Sequence, residues 1–352
     1  MANASWTVTV GGNAVTNIQT VNIRKGRTDL TEAYRSGSLT IIGRRPDLLP
    51  AIAIGDVISA TMTFLSSTAP YSFRVTNLTV NYGIVAAQDE WVLEGEDAMG
   101  YAGRALIDAT WSSGANAYTV AGTVGTSAGT TVTNPTILSS TTTVSGQTLT
   151  NTSALQILTN LINSEGGILA AGATSIFWLP RNWQTVAGIP GNFTDTGTGA
   201  NPVYYDRVEF AALADTAVTK VIVEPVGLAS QSSGTGTNVY SITTYSQTTT
   251  DAADVAAFNA GSLNVTTPAP VSVSLLLTTQ ANAAALNVLP EGTAIDIKLR
   301  GTTYETLVLG TVISSNPDTT RITYNVISAD FYKYLILDDA VYGKLDFNRL
   351  GW

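Results

Sequence analysis

Residues 36–42 read SGSLTII, residues 48–62 LLPAIAIGDVISATM, residues 71–80 YSFRVTNLTV and residues 91–97 WVLEGED. The same four phrases return in the same order near the other end of the chain. There residues 271–277 read VSVSLLL, residues 286–299 LNVLPEGTAIDIKL, residues 304–314 YETLVLGTVIS and residues 321–330 RITYNVISAD. Each series opens with a strand and passes through a short apolar linker. A glycine turn follows, Gly55-Asp56 in one copy and Gly292-Thr293 in the other. The turn opens an alternating strand, a further alternating strand follows, and a closing strand ending in an acidic residue completes the copy. Alternation with a period of two marks a half-buried strand, and glycine at a turn supplies a positive φ at little steric cost. In residues 57–65, Val57, Ser59, Thr61, Thr63 and Leu65 share one face. The echo predicts a duplicated antiparallel β unit.

Between the copies the pattern changes. Leu155, Leu158, Leu161 and Ile162 share one face of a helix predicted over 154–164, capped by Thr152 or Ser153 and ended by Glu165-Gly166-Gly167. A second helix is predicted over 252–260, capped by Asp251 and stopped by Gly261, and a weaker one over 282–289, stopped by Pro290. Residues 168–179 and 218–224 read as strands. The fold class is therefore mainly β with an α+β middle: two similar small antiparallel β-barrels flanking an α/β segment. The expected divisions are 1–108 (first barrel), 109–150 (insertion or linker), 151–265 (α+β middle), 266–335 (second barrel) and 336–352 (C-terminal docking tail).

Residues 109–164 contain no Asp, Glu, Lys or Arg, and residues 225–250 and 255–290 are also uncharged. These runs are rich in Thr, Ser, Asn and Gly. Threonine is β-branched and suits strands. The whole chain has 352 residues, 12% of them charged, with a net charge of −9 and neither Cys nor His. The missing types exclude disulfides, thiol catalysis, thiolate zinc, imidazole metal sites and Ser-His-Asp hydrolysis. The acidic balance argues against a surface made to hold nucleic acid. No apolar run approaches the roughly 18 residues of a membrane span. The opening MANASWTVTV lacks the basic and apolar regions of a signal peptide.

Three acidic groups invite a functional reading: Asp89-Glu90, Glu94 with Glu96-Asp97, and Asp338-Asp339 with Asp346. None has the spacing of a calcium loop, so they read first as solvated or interface charge. Arg24, Lys25 and Arg27 surround Gly26, a pattern open to an anion site but better suited to ion pairs with a neighbouring subunit. Arg44-Arg45-Pro46-Asp47 reads as a self-paired turn. Trp178 and Trp183 could stack on a sugar or pack a core, and packing is the commoner use of Trp. Trp352 ends the chain and reads as a docking group. No catalytic, cofactor-binding or metal residue is assigned.

Residues 21–41, VNIRKGRTDLTEAYRSGSLTI, resemble the opening of minor tail and tail-hub proteins of long-tailed bacteriophages. The matching positions are Arg24, Gly26, Arg27, Asp29, Glu32 and Gly37. The resemblance continues through Gly55-Asp56-Val57, residues 73–78, Glu96-Asp97-Ala98, the Glu165-Gly166-Gly167 unit and the ending 335–352. Arg74 departs from it, standing where the family has glycine. The resemblance implies a non-enzymatic virion protein of the tail tip without cofactors. In such hubs two related barrels in each of three subunits make a quasi-sixfold ring, which joins a sixfold tube to a threefold tip. The partners implied are further copies of the chain, the tail tube, distal-tail and tail-tip or fibre proteins, and a tape measure protein. Genomic DNA would pass the lumen without specific binding. The implied location is the virion, with assembly in the host cytoplasm. The alternative reading is a tail adhesin that recognises host glycan.

Overall fold

The computed structural model describes residues 4–134, 140–181, 191–195, 202–211, 218–263, 268–278 and 291–328. Seven strands precede the first helix: β1 (Ser5–Val10), β2 (Asn13–Val15), β3 (Ile18–Gly26), β4 (Ser38–Arg44), β5 (Val57–Phe64), β6 (Ser67–Asn81) and β7 (Glu90–Glu96). The middle opens with α1 (Ala98–Arg104), β8 (Leu106–Trp111), β9 (Ala115–Asn116), α2 (Ala117–Ser127) and β10 (Thr131–Thr133). It continues with β11 (Thr143–Val144), β12 (Gln147–Ser153), α3 (Ala154–Glu165), β13 (Ile168–Ala171) and β14 (Ser175–Leu179). Next come β15 (Gly191–Thr194), β16 (Pro202–Tyr204), β17 (Arg207–Ala211), β18 (Lys220–Pro225), β19 (Gln231–Gly234), β20 (Val239–Thr244) and α4 (Thr249–Leu263). The last strands are β21 (Ala269–Leu276), β22 (Ala294–Leu299), β23 (Thr302–Ser315) and β24 (Thr320–Ser328).

The echo in the sequence is an echo in topology. The first copy pairs its strands antiparallel in the order β4-β7-β6-β5, and the second in the order β21-β24-β23-β22. Both are the order first-fourth-third-second. The irregularities match as well. β6 shifts register against β7 between Val75 and Asn77, and β23 shifts against β24 between Val308 and Gly310. Gly55 (φ 90°) donates to the Val75 carbonyl at 2.8 Å, and Val75 donates back to Asp56 at 2.9 Å. Gly292 (φ 84°) donates to the Val308 carbonyl at 2.5 Å, and Val308 donates back to Thr293 at 2.9 Å. Such turns need glycine because a β-carbon is disfavoured at positive φ.

Mainly β is therefore what the chain forms. The strands of both copies belong to one 14-stranded sheet, and no closed ring of paired strands occurs among the described residues. One long strand explains the merger. The first half of β23 pairs with β22 and its second half pairs with β3, while β24 occupies its other edge. One apolar core, from Val8 to Val326, runs through both copies. The alternation of β5 is obeyed: Ile58, Ala60, Met62 and Phe64 are buried, and the face carrying Val57, Ser59 and Thr61 is turned away.

The middle is a second compact body of four small sheets and helices. Leu158, Leu161 and Ile162 of α3 pack with α1, α2 and Trp178. The uncharged stretch 109–150 supplies part of this core through Val120, Ala121 and Val124 of α2. Several local expectations need correction. α1 and α2 had no expected counterpart. α1 is too short for periodicity to show, and α2 is mostly Ala, Thr, Val and Gly, types that are poor helix formers apart from Ala. Ser153 precedes α3 but its hydroxyl donates to Gly103 at 3.1 Å instead of capping. α4 begins two residues before Asp251, which acts as the third residue of a capping box with Thr248. Gly261 lies inside that helix. Residues 168–179 form a hairpin, not one strand. The helix expected over 282–289 lies outside the described residues, as do Trp183, Asp338, Asp339, Asp346, Trp352 and the docking tail.

Candidate functional site

Arg24, Gly26 and Arg27, singled out in the sequence, gather at the joint where β3 meets β23. β3 ends at Gly26, whose φ is 69°. A β-carbon there would overlap the Leu309 carbonyl oxygen and lie 2.7 Å from the Gly310 Cα. A β-carbon on Gly310 would lie 2.6 Å from the carbonyl oxygens of both Lys25 and Arg27. Two backbones thus touch where neither side can carry a side chain. Across the joint the Arg27 N–H donates to the Leu309 carbonyl at 2.9 Å.

The basic residues around Gly26 are engaged within the chain. Arg27 is buried, places its guanidinium 4.1 Å from the Tyr34 ring centroid and donates to the Leu30 carbonyl at 3.2 Å. Arg24 lies 3.6 Å from Glu32, which also pairs with Arg35. Glu32 accepts from the Thr28 N–H at 2.6 Å, and Asp29 accepts from the N–H groups of Thr31 and Glu32. A run rich in charge thereby folds onto itself. Arg45 and Asp47 form the self-paired turn expected of them, 2.9 Å apart.

The acidic group at the end of β7 is structural and largely buried, which corrects its reading as solvated charge. Glu96 pairs with Arg104 of α1. Asp97 caps α1 by accepting from Met99 at 3.0 Å, and it also accepts from Gly37 at 2.8 Å. Burial pushes the Asp97 carboxyl up to about 7, against the lowering influence of Lys25 and the Gly37 N–H. Glu94 accepts from Asn77 at 2.9 Å, and Asp89 from the Gly83 N–H at 2.9 Å. Among the described residues no group of three acidic, His or Cys side chains could hold a metal ion. Trp178 is fully buried against Tyr118, so its face is not open to a sugar. Burial also raises the Glu165 carboxyl, opposed by the Ser140 hydroxyl.

Some members of the joint escaped the sequence reading. Gly310 carried a signal, a lone glycine inside an alternating strand, which often marks a bulge or a close backbone approach. Tyr34 and Arg104 carried none.

The architecture has counterparts among solved structures. The 43 kDa tail protein of prophage MuSo2 from Shewanella oneidensis superposes with a TM-score of 0.65 at 11% identity, over 93% of this chain and 98% of its own. This is the fold of phage tail proteins. A tail protein from Neisseria meningitidis gives a TM-score of 0.64 at 12% identity, over 94% and 98%. A component of the E. coli type VI secretion system, itself described as similar to T4 bacteriophage tail proteins, gives 0.51 at 10% identity, over 91% and 76%. No family model and no curated sequence matches the chain. The likeness thus lies in backbone topology, which the glycine turns, the bulges and the joint maintain. Among the described residues no helix of this tail-protein fold is long and apolar enough to cross a membrane.

Proposed function

We propose that this chain is a structural virion protein of the phage tail tip, a hub ring that joins the tail tube to the distal tail or baseplate. The observation that carries the reading is the repeat of one strand order, one glycine turn and one bulge at both ends of the chain. A chain with two like units presents like contact surfaces twice. Three such chains then offer six positions around a threefold axis, the match a tube-to-tip adaptor needs. In that ring each unit is a β-barrel. The partners are further copies of the chain, the tail tube, and distal-tail and fibre proteins, with the tape measure protein and passing DNA in the lumen. The chain acts without catalysis, and the acidic residues at the end of β7 support this reading: Glu96 forms an ion pair, Asp97 caps α1 and Glu94 accepts from Asn77. The experiment is a cryo-EM reconstruction of the tail end. Threefold density for this chain is expected, and any other symmetry rejects the ring.

A further inference from the structure

We infer that the ring closes by strand pairing between chains: β17 of one copy adds to the free edge of β6 in the next, with Glu209 opposite Asn81. The inference rests on the ring reading above and goes beyond it by naming the edges and their register.

The register follows from the joint inside the chain. In the first unit one row of cross-strand partners runs Asn77, Glu94, Thr40, Asn22. In the second unit the corresponding row runs Gly310, Asn325, Ser272, Glu209. Both rows start at the residue that follows the matching bulge. β17 is thus the counterpart of β3, and the end of β6 is the counterpart of the second half of β23. In the joint, Asn22 of β3 lies opposite Ser314, four residues after Gly310. Four residues after Asn77 is Asn81, which sets Glu209 against it.

The strands that would meet carry open edges. β5 pairs with β6 only as far as Arg74, and β7 holds the other edge. Among the described residues nothing pairs with the Asn77–Asn81 stretch on the β5 side, nor with β17 on the side away from β21. An open edge is a template for another strand. Just beyond it, Tyr82, Ile84 and Val85 are 79%, 99% and 54% exposed, apolar surface that a docked neighbour would cover. Each contact is head-to-tail, joining the second unit of one chain to the first unit of the next, so it propagates around a ring. One difference separates the two joints: Asn77 stands where Gly310 permits backbone contact, so the pairing between chains covers the residues after the bulge.

The absence of cysteine makes a direct test available. Asn81 and Glu209 are exposed and lie outside the core. Cross-strand neighbours sit about 4.5–5.5 Å apart at Cα, within disulfide reach. The full chain carrying Asn81→Cys and Glu209→Cys is oxidised and run on a non-reducing gel, beside Asn77→Cys with Glu209→Cys, which is four residues out of register. Sedimentation of the unmodified chain runs in parallel. The expected result is an oligomer in sedimentation, with reducible cross-linked species at least several-fold more abundant for the in-register pair. An oligomer whose two cysteine pairs cross-link equally overturns the pairing and leaves the ring reading standing. A chain that stays monomeric at every attainable concentration overturns both.

Discussion

The two β units have the same strand order, the same positive-φ glycine and the same bulge, yet they share few side chains at corresponding places. Where the first unit has Arg74 and Glu96, the second has Leu307 and Ile327. The first pair sits beside α1, with Glu96 bound to Arg104, while Leu307 and Ile327 pack against Ile168 and Leu179. A sheet tolerates such exchanges because its ladder is made by backbone groups, whereas turns and bulges depend on what the backbone can adopt. What was kept is the geometry of the chain, and what diverged is the chemistry at its ends.

The strongest challenge to this comparison is Gly26→Ala at the joint between the units. The strain of a β-carbon at positive φ adds to its overlap with the Leu309 carbonyl oxygen. The loss is expected at roughly 2–5 kcal/mol, read from urea unfolding. Gly301, at φ 86° with open space around it, provides the control: Gly301→Ala carries the strain alone, about 1–2 kcal/mol. Equal losses at the two glycines would remove the joint as a special contact.

The next test separates the units by pH. Asp97 follows β7, and Ser328 holds the equivalent place at the end of β24. The folded chain raises Asp97 to about 7, above its unfolded value of 3.8, so the folded state holds the proton more tightly. Its contribution to stability is fully present below about pH 4 and is lost as pH rises toward 7. The slope is at most about 1.4 kcal/mol per pH unit. Asp97→Asn should flatten thermal-unfolding profiles between pH 4 and 7. An unchanged profile would assign the pH dependence elsewhere, with Glu165 the first candidate because burial raises it in the same direction. The smallest expected effect is Gly55→Ala against Gly292→Ala. Each puts a side chain on a positive-φ turn residue that donates to the matching valine carbonyl. Losses of about 1–2 kcal/mol are expected at both. A cost at only one position would show that the turns are not equivalent.

Residues 36–97 and 271–330 displayed their strands, their glycine turns and even their shared order, because period-two alternation and turn glycines are local properties. The α3 helix and its Gly166 stop were legible for the same reason. The candidate site was legible only in its members. Arg24, Gly26, Arg27, Glu96 and Asp97 stood out, but the reading made them solvated charge or contacts to another subunit. Whether a carboxylate is solvated or buried depends on what packs over it, and in this chain Arg104 and the N–H groups of Gly37 and Met99 do so.

The sequence by itself marked this chain as mainly β, with one strand pattern repeated and with neither thiol nor imidazole side chains, and these follow from residue type or near-neighbour spacing. Its resemblance to tail proteins rests instead on particular motifs, residues 21–41 first among them. Only the tertiary structure decided that β3, paired with β4 on one edge, pairs with β23 on the other and merges the two units into one sheet. Residues nearly three hundred positions apart meet there, Gly26 against Gly310. Strand alternation says which face a side chain takes, but it carries no information about which distant edge a strand will join.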